Sequence, residues 1–265
     1  MILRHYLLNK YNYISLIKIL IIFENPIYYL YCVIFKIIPK RIIVRTPIGK
    51  ITLYLRNFES LKTIFSIFCR EDYKVTNNKS HFIDIGSNCG YSCVYFLSRN
   101  NRNTVDCYEP EIENMKFLKK NLEYFSNRSN IYELAIGTEN GIGKLYTSSD
   151  GKYSSLIEQV TQKSYNVKVV SFESLLRKIS NEVITQIKID IEGLEKEIIK
   201  KINLNKLNTK QIIEFSLDKT NNQINEFTFQ ISNKQKIFLV RNNSKNTFKD
   251  EIISIKLNKI GRAHV

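Results

Sequence analysis

The chain has 265 residues, of which 43% are hydrophobic and 25% are charged, and this composition excludes an intrinsically disordered polypeptide. The length suits one sizeable α/β domain with an extension and is short for two full domains. The formal net charge of +15 favours anionic neighbours, but the lysines are spread along the whole chain and predict no nucleic-acid interface.

The first forty residues carry two apolar runs, residues 14–23 and 27–35, on either side of Pro26. Neither run reaches the roughly 18 to 20 apolar residues that a membrane-spanning helix needs, and the proline interrupts a helix. We predict that residues 1–40 form an apolar and basic helical extension, either a pair of helices that caps the domain or a peripheral membrane contact. A true span is the least favoured alternative, and no signal-peptide cleavage site follows.

The cysteines are five in number and scattered, without the spacing of a metal site or a disulfide framework. This usage is typical of a reducing compartment. We therefore predict a cytoplasmic protein, with the extension as its candidate membrane contact.

Residues 41–80 are predicted to lead into the core through a β-hairpin and a helix. Two β-rich runs flank a turn at Pro47 and Gly49, and apolar residues recur at helical spacing over residues 60–73.

From residue 81 onward, short apolar strands alternate with helical stretches, which is the pattern of βαβ units. The predicted strands are residues 81–85, 105–108, 131–136 and 187–191, followed by 212–217 and 236–240. The predicted helices are residues 90–99, 112–125, 172–179 and 194–202. We therefore predict one α/β domain over residues 81–259 with a doubly wound, mainly parallel sheet, in which the last strand is a candidate for antiparallel pairing.

The last six residues, 260–265, depart from the Ile-, Asn- and Lys-rich style of the chain and resemble the translation of a common sequencing adapter. We hypothesise that they are a read-through scar, and we exclude them from the fold.

The first chemical motif is a strand that ends in Asp84, followed by a turn with Gly86 and Gly90 and then a helix. At the carboxyl end of a parallel strand, such glycines let a ligand approach a backbone that a Cβ would block. A dinucleotide fingerprint needs another glycine spacing, and a P-loop needs Gly-Lys-Ser/Thr. A carboxylate there suits a cationic ligand without phosphate, such as a sulfonium amino acid. The predicted cofactor-binding residues of this segment are Asp84, Gly86, Ser87, Asn88, Gly90 and Tyr91.

The second motif is Glu109-Pro110, at the end of the next predicted strand. A carboxylate in that place accepts hydrogen bonds from two vicinal ribose hydroxyls, and Pro110 helps to start the following helix. Ala135 lies near the end of the third strand, where small residues suit either an adenine ring or strand packing.

The third motif places Lys188, Asp190 and Glu192 along a buried-looking strand and at its end. Charged side chains in that setting are costly unless they are paired or used, so these three are the candidate catalytic residues. A carboxylate in this place can remove a proton from an acceptor group, and for that role Asp190 is the first candidate and Glu192 the second. Lys188 either orients one of these carboxylates or forms a structural ion pair with Glu195.

The chain resembles the FkbM family of S-adenosylmethionine-dependent methyltransferases in an ordered set of motifs between residues 82 and 215. The matching segments are Asp84-Ile-Gly-Ser-Asn-Cys-Gly90, Tyr108-Glu-Pro110 with Asn121, Ala135, and Lys188-Ile-Asp-Ile-Glu-Gly-Leu-Glu195. The resemblance implies a class I methyltransferase (Rossmann-like) fold and O-methylation, often of sugars. It also implies that Asp84, Gly86 and Gly90 line the methionine end of S-adenosylmethionine, and that Glu109 holds the ribose.

We therefore predict a methyltransferase that uses S-adenosylmethionine, needs no obligatory metal and methylates a hydroxyl of a sugar, a glycan or another small molecule. The main alternative is a non-catalytic nucleotide-binding module that the extension docks to a membrane or protein partner. A nicotinamide oxidoreductase is disfavoured by the glycine spacing.

Overall fold

The computed structural model describes residues 10–73, 75, 79–147, 154–156, 163–179, 184–191, 194–201, 211–215, 229–231 and 237–239. Two of the sequence predictions, the catalytic role of Glu192 and the adapter origin of residues 260–265, lie outside the described residues.

From residue 10 onward, where the structure describes the chain, two helices precede the first strand, α1 (Lys10–Ile22) and α2 (Pro26–Ile34). Asn25 begins the second helix because its side-chain oxygen accepts a hydrogen bond from the amide of Tyr28 at 2.9 Å, and Pro26 already has the backbone angle of a first helical turn. Within the described ranges, no helix combines the length and the apolarity needed to cross a bilayer.

The predicted hairpin is present as two antiparallel strands, β1 (Arg41–Thr46) and β2 (Gly49–Tyr54). Helix α3 (Glu59–Ile64) follows and continues as a π-helical turn, Phe65–Cys69. The helix predicted for residues 60–73 therefore ends earlier than its apolar spacing suggested. Its last turns change to π-helical hydrogen bonding, and the spacing of apolar residues in the sequence does not reveal such a change.

In the part of the chain that the structure describes, the central sheet has seven strands, and five of them are parallel. In chain order the strands are β3 (Ser80–Ile85), β4 (Thr104–Tyr108), β5 (Ser129–Tyr132), β10 (Ile184–Ile189), β11 (Gln211–Phe215), β12 (Phe229–Ile231) and β13 (Ile237–Leu239). The associated helices are α4 (Tyr91–Leu97), α5 (Ile112–Leu122), α6 (Phe172–Leu176) and α7 (Glu195–Lys201). The predicted class I α/β fold is confirmed, including an antiparallel last strand.

The strand order in space is β13, β12, β11, β10, β3, β4, β5. The chain therefore builds outward from β3 in one direction through β4 and β5, and then returns to the other side of β3 with β10. The crevice at the carboxyl ends of β3 and β10 is a topological switch point, which is where open α/β sheets bind their ligands.

A second sheet, which the sequence reading did not predict, has the spatial order β6 (Ala135–Gly137), β9 (Lys163–Ser171), β7 (Gly141–Thr147), β8 (Ser154–Ser155). The single strand predicted for residues 131–136 was wrong. Residues up to Tyr132 pair with β4, whereas Ala135 pairs with Val169 of the second sheet. A short run of mostly apolar residues does not reveal that the backbone leaves one sheet and joins another.

A large hydrophobic cluster joins the N-terminal helices to the hairpin, α3, α4 and α5. Ile19, Phe23, Tyr29 and Cys32 are buried in it, and the rings of Phe23 and Tyr29 stack with centroids 3.9 Å apart. Burial of these side chains from water fixes α1 and α2 on the domain.

Candidate active site

A cavity of about 830 Å³ lies at the carboxyl ends of β3, β4 and β10, within the volume range of small-molecule pockets. Nine of the predicted site residues line it: Gly86, Ser87, Asn88, Tyr91, Glu109, Pro110, Ala135, Lys188 and Asp190. Asp84 and Gly90 lie behind the wall that these residues form. The structure therefore brings together motifs that are up to 104 residues apart in the chain.

The glycines of the β3–α4 turn are required chiefly by packing within the protein. Gly86 has a φ of +78°, and a Cβ built on it would lie 1.9 Å from the carbonyl oxygen of Asp190. Gly90 has a φ of +83°, and its Cβ would lie 2.6 Å from a methyl carbon of Leu118 on α5. The predicted reason, room for a ligand, thus needs correction. Gly86 does line the cavity, but the first group that its Cβ would strike is backbone of the neighbouring strand end.

Asp84 and Lys188 form a buried ion pair directly beneath the cavity. They are register partners on adjacent parallel strands, and Lys188 Nζ lies 2.9 Å from Asp84 Oδ1. The other carboxylate oxygen of Asp84 accepts hydrogen bonds from the Ser92 hydroxyl and, at 3.1 Å, from the Cys93 thiol. Asp84 is fully buried, so the structure gives it the role of holding the lysine and the first turn of α4, rather than a place on the cavity wall.

Lys188 connects this pair to Asp190. Its ammonium group donates to the carbonyl of Gly86 at 3.1 Å and lies 3.6 Å from Asp190 Oδ2. Burial favours the neutral amine, but the negative charges of the Asp84 and Asp190 carboxylates outweigh it and raise the pKa of Lys188 well above its usual range. Lys188 thus contacts Asp84, Gly86 and Asp190. Glu195, the alternative partner that the sequence suggested for this lysine, accepts a hydrogen bond from the amide of Ile191 at 2.6 Å.

Asp190 follows the last residue of β10. Its amide donates to the carbonyl of Ile85 at 3.0 Å, which fixes its backbone against β3, while its side chain remains 35% exposed toward the cavity. Asp190 is therefore a carboxylate on a fixed backbone, accessible from the cavity and next to a buried cation.

Glu109 lies on the cavity wall at the end of β4, only 4% exposed. Its Oε2 accepts from the amide of Asn88 at 2.7 Å, and its Oε1 accepts from the amide of Glu111 at 2.9 Å and from the Asn114 side chain at 3.3 Å. Among the described residues, Oε2 has a single hydrogen-bond donor, the Asn88 amide, and it retains acceptor capacity for a ligand. Burial raises the pKa of Glu109 to about 7, although these hydrogen bonds oppose the shift.

A second group of residues, which the sequence reading missed, supports Glu109. Arg56, after β2, donates to Glu111 Oε2 at 2.5 Å and also to Asn114 Oδ1. Glu111 in turn caps α5, since its side chain accepts from the amide of Asn114 at 2.9 Å. The hairpin thereby fixes the start of α5, and with it the residues around Glu109. No local motif marks Arg56, because its partners lie 55 or more residues away.

Two further regions of the cavity wall differ in character. On the side of the second sheet it is apolar and consists of Leu134, Ala135, Ile136, Leu145 and Leu156. On the side of α3 and the π-helical turn it also carries polar side chains, among them Asn57, Ser60, Arg70, Asp72 and Tyr73. Within the described ranges, no group of three or more His, Cys, Asp or Glu side chains is arranged to hold a metal ion.

The chain matches the family model of the methyltransferase FkbM domain over residues 84–247. The match covers more than half of the chain and begins at Asp84, near the end of β3. The family predicted from the motifs is therefore confirmed.

Solved structures that resemble the chain include a protein from Klebsiella pneumoniae, described provisionally as an O-methyltransferase, with 10% identity and a TM-score of 0.32. That match covers 53% of this chain and 49% of the other. A precorrin-6y C5,15-methyltransferase from Geobacter metallireducens has 12% identity and a TM-score of 0.32, with 62% and 64% covered. The chain thus spans about half to two thirds of the length of these structures. No curated protein matches the chain.

Proposed function

We propose that this member of the methyltransferase FkbM domain family binds S-adenosylmethionine in the cavity at the β3–β10 switch point. We further propose that it methylates a hydroxyl group of a sugar or glycan. The observation that carries the proposal is Glu109, a buried carboxylate on the cavity wall with acceptor capacity left on Oε2. The cavity also has an adjoining apolar wall, which suits a nucleoside.

The residues of the cavity fit three parts of the cofactor: the ribose, the amino-acid end and the adenine ring. Glu109 would accept hydrogen bonds from the ribose hydroxyls, as a carboxylate at the end of a second strand does in related α/β folds. The β3–α4 turn, with Gly86, Ser87 and Asn88, would hold the amino-acid end, and Tyr91 adjoins it. The apolar wall around Ala135 would cover the adenine ring, beside Pro110. When bound, the cofactor supplies an electrophilic methyl group on a sulfonium sulfur.

The work of this chain's own residues is to orient the acceptor and to take its proton. Asp190 is our candidate for proton acceptance because its carboxylate faces the cavity from a fixed strand end. Lys188 is a positioning residue, since its ammonium group lies 3.6 Å from Asp190 Oδ2 and is itself held by Asp84. Glu192 remains the second candidate for this role.

The Asp190→Asn variant tests the assignment. We expect its turnover in a labelled-methyl assay, with any sugar acceptor that the wild type methylates, to fall by about a hundredfold or more, because the proton acceptor is removed. Its affinity for S-adenosylmethionine should stay within about twofold of the wild type, since Glu109 supplies the ribose contact. The matched control is Asp106→Asn, which removes a carboxylate of β4 that contacts His81 and Asn130. Unchanged turnover of Asp190→Asn would assign proton removal elsewhere, with Glu192→Gln as the next variant.

A further inference from the structure

The N-terminal helices have a large apolar surface that faces away from the core. On α1 the side chains of Ile14, Leu16, Ile17, Leu20 and Ile21 are all about half exposed or more, whereas Ser15 and Ile19 are buried. At 100° per residue, the exposed positions of this helix occupy an arc of about 160° opposite the buried ones. Soluble domains seldom leave so continuous an apolar surface in water without a partner.

Helix α2 likewise has an exposed apolar side and a side that is buried against the domain. Ile27, Tyr28, Leu30, Tyr31, Ile34 and Phe35 are exposed, while Tyr29 and Cys32 are buried against the domain. Ile37 and Ile38 extend the exposed apolar surface beyond the helix. We call these exposed residues of α1, α2 and residues 37–38 the apolar face.

The charged residues around this face are mostly basic. Glu24 is the single acidic residue of residues 10–40, and Lys50 binds it at 2.6 Å. Lys36, Lys40 and Arg41 are exposed just after α2. Two copies of such a segment would bring like charges together, which disfavours a symmetric dimer. An anionic surface complements the same charges.

The chemistry of the face matches a lipid surface. Helices that lie in the bilayer interface combine an apolar side with basic residues at its border, and tyrosine rings are enriched at that depth. The face here combines all three features. We propose that it docks the protein on the surface of an anionic lipid bilayer, with α1 and α2 in the plane of the interface.

The position of the cavity agrees with this docking. Leu16 and Leu30 belong to the apolar face and also line the cavity, so the cavity wall continues onto the face. Docking would therefore place one end of the cavity beside the lipid. Docking on a lipid surface does not depend on the proposed methyl transfer.

The test is co-sedimentation of the full chain with vesicles of phosphatidylcholine alone and with vesicles that contain 30% phosphatidylglycerol. We expect the wild type to sediment with the anionic vesicles, and an Ile17→Ser, Leu20→Ser, Ile34→Ser variant to bind them at least about tenfold more weakly. None of these three residues lines the cavity. The matched control is Tyr124→Ser, Ile142→Ser, which removes two apolar side chains that are 71% and 79% exposed elsewhere on the surface.

A second variant, Lys36→Gln with Lys40→Gln, tests the charge component. It should weaken binding to the anionic vesicles and reduce the dependence of binding on salt concentration. The proposal is overturned if the wild type does not sediment with anionic vesicles, or if the triple serine variant binds as the wild type does. It is also overturned if light scattering shows a dimer that the serine substitutions dissociate while vesicle binding is absent, because the occupant of the face is then a second copy.

Discussion

Replacing Lys188 with methionine is expected to lower the free energy of unfolding by about 3 to 5 kcal/mol, because it leaves the fully buried carboxylate of Asp84 without its cation. The Ser92 and Cys93 donors remain, but neither carries a charge. Urea unfolding of the purified protein measures the effect.

Two further variants identify the cause of that loss. Asp84→Asn with Lys188→Met removes both charges, and we expect it to recover most of the stability lost in the single variant. Lys201→Met removes the lysine of an exposed ion pair with Glu139, where the distance is 3.0 Å, and should cost less than about 1 kcal/mol. A Lys188→Met variant no less stable than Lys201→Met would contradict the buried pair.

Replacing Gly86 with alanine should have an effect at least as large. The new Cβ would lie 1.9 Å from the Asp190 carbonyl oxygen, and a backbone atom cannot move aside as a flexible side chain does. The φ of +78° adds the strain of a left-handed conformation. We expect a loss of more than about 4 kcal/mol, or a protein that does not fold, in the same unfolding experiment.

Gly49→Ala is the matched variant for that substitution. Gly49 in the β1–β2 turn also has a positive φ, +122°, but a Cβ there would have nothing within 4 Å. The Gly49→Ala substitution should therefore lower the free energy of unfolding only through backbone strain, by about 1 to 2 kcal/mol. Equal losses in the two variants would show that collision with the strand end contributes little.

The local motifs of the site could be predicted from the sequence because each is a short segment at a strand end. The acid, the glycines and the start of α4 occur within nine residues, and Glu109 directly follows β4. Alternation of strands and helices then implied that these ends meet at one edge of the sheet. The fold class and the main positions on the cavity wall followed from those two facts.

Other contacts depend on register and packing, which local patterns do not contain. Lys188 meets Asp84 because β3 and β10 pair with these residues opposite each other, 104 positions apart. Arg56 reaches Glu111 from the hairpin, and the apolar wall around Leu145 belongs to a sheet that periodicity did not reveal. The same limit explains why Asp84 was predicted on the cavity wall, whereas it lies behind that wall.

Calorimetric titration with S-adenosylmethionine tests the central claim most directly, with Glu109→Gln compared with the wild type. The variant should bind about 10- to 100-fold more weakly, because a charge-assisted acceptor is lost. Glu113→Gln, which removes an exposed carboxylate of α5, should bind as the wild type does. With a Glu109 pKa of about 7, the carboxyl becomes protonated as the pH falls, so wild-type affinity should drop about tenfold from pH 8 to pH 6. Folded wild-type protein that releases no heat of binding, or a Glu109→Gln variant with wild-type affinity, would contradict the account.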